Sequence, residues 1–269
     1  MSVQLSIGAP EEEEGPRHKT FAEKVEAFLA HPGEVLNAAL FEAGHEYDRD
    51  ALPGSLKQAG PFANTEPLPV FTHFVEPHHE GRLPAFVKPE VLFDGPDFMV
   101  LLNDKVPYPE AYEAMGQPAS TAGMAFVHML AIPKERIYNA VTLTAKHRPL
   151  LRAMQAAALV LAAVDRPRLA KLVCELVEKR APAFLERALA DAEAYMSGPV
   201  PPVELYFHAH SRDDAGNWTG HSVGHLHVHC LSGPRTSFVH SEKNVPFDEV
   251  YSELDNNTYD AAAVLADME

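Results

Sequence analysis

Cysteine is scarce: the 269 residues hold two, Cys174 and Cys230, far apart and without the close pairing that a metal ribbon needs. A disulfide framework is therefore excluded as the basis of the fold, and a reduced protein is expected. Basic residues are also few, 22 Lys and Arg against 38 Asp and Glu, a formal charge of −16. This disfavours nonspecific binding to nucleic acid, whose affinity comes largely from cations meeting phosphates. No apolar run approaches the roughly 18 residues that a membrane span requires, so no membrane association is expected. Met1 to Pro16 is acidic rather than basic-then-apolar, which argues against secretion and for the cytoplasm. No internal repeat is present, and tryptophan occurs once, at Trp218.

What remains is a chain long enough to bury a large core without staples. Residues 1–19, with Glu11 to Glu14 in a row, read as an acidic, disordered tail. Thr20 and Glu23 have capping-box spacing ahead of the stripe Phe21, Val25, Phe28, Leu29, which predicts a helix stopping near Pro32-Gly33; a second short helix follows over Glu34 to Ala43. Tyr47 to Pro69 reads as loop. Strands are predicted at Val70–Val75, Phe98–Asn103, Ala125–Ile132, Val203–His210 and Val223–Leu231, with a loop over Ser211 to Gly220. Helices are predicted over Thr144–Val164 and over Arg166–Met196 with a break at Pro182, and again in part of Phe247–Asp267. Strands, then long helices, then strands imply an α+β domain in which helices pack on a mainly antiparallel sheet.

The densest chemical signal is Gly224-His-Leu-His-Val-His-Cys230, with His225, His227 and His229 at alternate positions. In an extended strand this spacing places all the imidazoles on one face and Leu226, Val228 and Cys230 behind, so Cys230 is expected to be a core residue. Burying imidazoles together without partners is costly, and histidine is the side chain that most readily accepts, donates or attacks near neutral pH. The same row suits zinc, copper or iron. His208 and His210 also alternate, and a pairing of their strand with this one would bring up to five imidazoles to one pocket.

His225-Leu-His-Val-His229, led by Ser222-Val223, resembles the His-x-His-x-His signature of the histidine triad (HIT) superfamily of nucleotide hydrolases and transferases. His128-Met-Leu-Ala-Ile-Pro-Lys134 looks like that family's His-x-Leu-Val-Ile-Pro-Lys segment, and Asn103-Asp-Lys-Val-Pro107 is similar to its His-Asp-Ile-x-Pro segment. The resemblance covers roughly residues 90 to 240. It implies a HIT-like antiparallel sheet with packed helices, a HIT-like catalytic domain over 91–245, an N-terminal helical and loop extension over 20–90 and a C-terminal helical segment over 246–269.

It further implies His227 as a nucleophile toward the α-phosphate of a nucleoside phosphoramidate or polyphosphate, giving a covalent nucleotidyl-histidine that water hydrolyses. His229 and Ser222 match positions near the leaving group, His225 and His128 match positions that orient the row, and Asp104 matches the ribose-binding acid. Asn103, His221 and Trp218 join Asp104 as candidate substrate contacts. No metal and no cofactor is required, the partner is a small nucleotide-like molecule, and small members of the family pair as homodimers. His221 stands where the phosphoramidase branch commonly has Gln, and about sixteen extra residues separate Asp104 from His128. Those departures keep two alternatives open: a small-molecule biosynthetic enzyme using the histidines for acid-base or metal-assisted chemistry, and a noncatalytic nucleotide-binding protein. Lys134 reads as a strand-end residue, and His73, His78 and His79 read as solvated surface.

Overall fold

The structure is a computed structural model that describes residues 19–44, 70–76, 90–209, 211–212, 218–219, 225–236 and 244–266. The acidic tail up to His18, the whole Tyr47 to Pro69 loop prediction, His78, His79, His210, His221 and Ser222 lie outside the described residues.

Helix α1 (Phe21–Leu29) starts where its capping box places it, with Thr20 and Glu23 each satisfying the other's backbone N–H. Pro32 does not stop the chain but opens α2 (Pro32–Glu42), since a first-turn proline has no N–H to lose. The segment Val70–Val75, predicted as a strand from its β-branched and aromatic content, is a short helix, α3. The correction has a plain cause: Phe71, Phe74 and Val75 stand at i, i+3 and i+4, a helical stripe, and that stripe packs on Met99, Leu101, Leu130 and Ile132.

A six-stranded antiparallel sheet follows, formed by β1 (Val91–Asp94), β2 (Phe98–Leu102), β3 (Ala125–Pro133), β4 (Val203–His208), β7 (Val228–Arg235) and β8 (Asn244–Pro246), in the order β1-β2-β3-β7-β4-β8. The α+β class with an antiparallel sheet is thus as the sequence predicts. Between β2 and β3 lies α4 (Pro109–Ala114). The Ser211 to Gly220 stretch contributes a small hairpin of β5 (Ser211–Arg212) and β6 (Trp218–Thr219). Strands β1 and β8 carried no sequence prediction.

The long helical region divides at its prolines into α5 (Arg148–Val164), α6 (Arg166–Arg180) and α7 (Leu185–Ser197). These helices cover one face of the sheet, where Val100, Leu102, Val127, Met129, Leu205, Phe207, Val228 and Cys230 join the main core. Cys230 points into that core as strand alternation requires, and burial pushes its thiol up to about 12. The closing helices α8 (Phe247–Glu253) and α9 (Ala261–Ala266) meet α1 and α2, whose Phe21, Phe28 and Phe41 belong to the same core. Among the described residues no helix is long and apolar enough to cross a membrane.

Pairing register fixes what the opposite face carries. Leu101, Leu130, His229 and Tyr206 face one another across β2, β3, β7 and β4, and His128 pairs with Leu231 two positions along. Directly opposed residues share a face, so His128, His229 and His208 all stand away from the three long helices. Helix α3 lies over this second face.

Candidate functional site

Strand β7 starts at Val228, later than the predicted Val223, so only His229 of the row lies within the ladder. Just before β7 the backbone turns to the loop after β3 instead: Leu226 N–H donates to the Ile137 carbonyl at 2.8 Å. The row of three consequently splits. The His225 ring packs edge-on against Phe41 at 5.7 Å, while His227 and His229 remain neighbours with ring centroids 4.9 Å apart. Adjacent strands supply two further imidazoles, His128 at 5.1 Å and His208 at 3.9 Å from the His229 ring. His208 is the one member of this cluster that the family pattern did not single out, although its alternation with His210 and the pairing of β4 with β7 were the signal for it.

The hydrogen bonds assign the protons. His227 Nδ1–H donates to the His225 carbonyl at 2.9 Å, which leaves Nε2 with its lone pair. His225 Nε2–H donates to the Pro133 carbonyl at 3.0 Å, and its Nδ1 accepts from the Thr72 hydroxyl at 2.8 Å. On the other side, His128 Nδ1 accepts from Asn103 Nδ2 at 2.9 Å and from Met124 N–H at 3.3 Å. His128 Nε2–H must then be the donor to His229 Nδ1, 2.8 Å away, and the proton of His229 sits on Nε2. That Nε2 is buried and has no hydrogen-bond partner among the described residues. Gly123 lets the Lys105 carbonyl come close, since a Cβ there would stand 3.1 Å from that oxygen.

Burial keeps these rings neutral. It holds His225 and His227 down to about 4 and His128 down to about 3. His229 is pushed well below its ordinary value by burial first and then by His208, His227 and His128. The arginines that act electrostatically on the cluster are already engaged: Arg136 is ion-paired with Glu76, and Arg235 with Glu204.

Helix α3 also meets the histidines, and the sequence carried no signal for that. The Phe71 ring stands edge-on to His227 at 4.7 Å, and Thr72 is fully buried against His225. Glu76, at the end of α3, is fastened by the two-point Arg136 pair. Thr72→Val should therefore cost about 1–3 kcal/mol, because a nearly isosteric methyl leaves His225 Nδ1 buried and unpaired. Urea denaturation of both forms checks it; equal midpoints would show that the bond contributes nothing.

Of the other candidates, Asn103 is at the site through His128. Asp104 is not among the histidines: its Oδ2 faces Arg180 of α6 at 3.0 Å. Lys134 pairs with Asp94 at 2.7 Å, at the strand end where the sequence puts it. The backbone of Trp218 lies in β6.

No protein-family profile matches the chain, and neither does any curated protein. Among solved structures it is similar to a HIT family hydrolase from Legionella pneumophila Philadelphia 1, at 17% identity over 63% of this chain and 96% of that one, with a TM-score of 0.32. It is also similar to a HIT family protein from Bacillus subtilis, at 14% identity over 65% of this chain and 77% of that one, TM-score 0.24. A third, SMU.412c from Streptococcus mutans UA159, shares 15% identity over 77% of this chain and 90% of that one, TM-score 0.26.

Proposed function

We propose that this protein is a nucleotide hydrolase or nucleotidyl transferase that works through a covalent bond between His227 and an α-phosphorus. The observation that carries the reading is the proton assignment. A carbonyl holds Nδ1–H of His227 and leaves Nε2 with its lone pair, while the adjacent ring carries the Nε2–H of His229 as a donor. A nucleophile and a hydrogen-bond donor on neighbouring rings are what an in-line displacement at phosphorus needs.

In the first step the Nε2–P bond forms as the bond from phosphorus to the leaving group breaks, the bond pair going to the leaving group. The positive charge that develops on the imidazole is stabilised through Nδ1–H by the His225 carbonyl. In the second step water attacks phosphorus, the Nε2–P pair returns to the ring, and the water proton passes to solvent. A polyphosphate leaving group departs as an anion and needs no proton. An amine takes up one more, and a neutral His229 can supply it only if it is itself resupplied. Dinucleoside polyphosphates are therefore placed ahead of phosphoramidates as substrates, with Ser222 as the further proton source the family pattern offers.

The alternative of a metal-assisted small-molecule enzyme is favoured by one observation, the arrival of His208 beside His227 and His229. The test is incubation of the full chain with a dinucleoside polyphosphate and with adenosine phosphoramidate, followed by product analysis and intact-mass measurement. Nucleoside monophosphate release, with a transient mass increase of one nucleotidyl group, is the expected result. Binding without either signal would leave a noncatalytic nucleotide-binding protein.

A further inference from the structure

We propose that His208, His227 and His229 form a binding site for one divalent transition-metal ion of the zinc class, and that this ion and the nucleotidyl reaction exclude each other. The exclusion rests on the reading of His227 as nucleophile; the ion site itself does not.

Geometry carries the proposal. One ligand atom from each of the three imidazoles lies within 4.8 Å of the others. Nitrogens around a tetrahedral zinc ion, each about 2.0–2.1 Å from it, stand somewhat closer together than that, so modest ring rotation closes the gap. His208 and His229 sit on neighbouring strands of one sheet face, β4 and β7, and His227 directly precedes β7, so regular structure holds two of the three ligands. Two of the donor atoms are identified. His227 offers Nε2, because its Nδ1–H is held by a backbone carbonyl, the partner that orients a metal-bound histidine. His229 offers its Nε2, a buried polar atom without a partner among the described residues, since its Nδ1 is taken by His128. Three imidazoles leave a fourth position open, as in sites where water or substrate completes the shell.

Ligation through His229 Nε2 moves its proton to Nδ1, and the hydrogen-bond chain has room for that move. Nδ1–H of His229 would donate to His128 Nε2, and His128 would carry its proton on Nδ1. Asn103 then turns its amide so that oxygen, not nitrogen, meets that N–H. No proton is gained or lost overall; the cost is the acceptor of Met124 N–H, a long contact at 3.3 Å. Because His227 Nε2 is bound to the ion in this state, its lone pair cannot attack phosphorus, and the ion is a reversible inhibitor.

The experiment is a zinc titration of the chelator-treated full chain against a chromogenic competitor, alongside His208→Asn, His229→Asn and, as a control, His31→Gln. One ion per chain is expected in the wild type and the control. Each of the other two variants should bind more than about a hundredfold more weakly, beyond the loss caused by removing an outer-shell partner. Cobalt added to the wild type should give the intense visible bands of a tetrahedral site, a readout that does not depend on whether the variants fold. Zinc bound equally by all forms, or a weak octahedral cobalt spectrum, would overturn the site. Stoichiometric binding together with no turnover of any nucleotide in metal-free protein keeps the site and retires the hydrolase reading. Turnover that persists at saturating zinc overturns the exclusion.

Discussion

His227→Ala is expected to lower turnover of a dinucleoside polyphosphate by about four orders of magnitude or more, the scale seen when a covalent nucleophile is removed. The reasoning is specific to this ring. Its Nδ1–H is committed to the His225 carbonyl at 2.9 Å, so alanine removes the lone pair that this bond aims and leaves a carbonyl without its donor. Binding should survive far better than the chemical step, since the nucleotide's other contacts do not depend on His227. The loss therefore belongs in kcat, with KM changed by less than about tenfold. Intact-mass spectrometry of rapidly quenched reactions should show the nucleotidyl adduct in the wild type and none in the variant. His128→Gln provides the contrast. His128 is a positioning residue that acts through His229 Nδ1 at 2.8 Å, so its loss should leave the adduct detectable while slowing its formation by about 10²–10³-fold. Full activity in His227→Ala would end the covalent reading, whatever the other variants do.

How far the sequence disclosed this site follows from the range of each contact. The alternation of His227 and His229 and the apolar strand around His128 are local patterns, and β3 and β7 form and pair much as those patterns require. Cys230 likewise points away from the histidines because a period of two admits nothing else. The departure of His225 was not legible, because it depends on the Pro133 carbonyl, 92 positions away in sequence, and on Thr72, 153 positions away. The Val70–Val75 segment shows the other kind of failure. Its β-branched and aromatic content spoke for a strand, yet the spacing of Phe71, Phe74 and Val75 matches an apolar helix face, and packing on β2 and β3 decided the outcome. Asp104 is a third case: the motif singles the residue out, but only the fold shows that Arg180 meets it.

Mild acid should unfold this protein, with stability falling steeply as pH drops from about 6.5 toward 4. The native state holds His225, His227 and His147 down to about 4 and His128 to about 3, against 6.5 for a free imidazole, and holds His229 lower as well. In every case burial is the leading cause. A depressed histidine pKa means that the unfolded chain takes up protons that the fold refuses. The stabilisation is thus fully present above about 6.5 and is lost as pH falls through the window between the two values. Each unit of depression is worth about 1.4 kcal/mol, so even a part of these shifts matters to a domain whose total stability is about 5–15 kcal/mol. Glu42 works in the opposite sense, since burial raises its pKa and the fold accepts its proton before the unfolded chain does; acidification toward 4.5 favours its protonated, folded form. One such carboxyl does not offset five histidines. Urea titrations at pH 7.5, 6 and 5 should give midpoints that descend with pH. In His225→Gln and His128→Gln the slope should be shallower, because each removes one proton site from the unfolded chain while leaving an uncharged, hydrogen-bonding side chain in the fold. Midpoints that stay level from pH 7.5 to 5 would mean that the fold accommodates imidazolium, and the neutral tautomer chain assigned to the site would have to be abandoned.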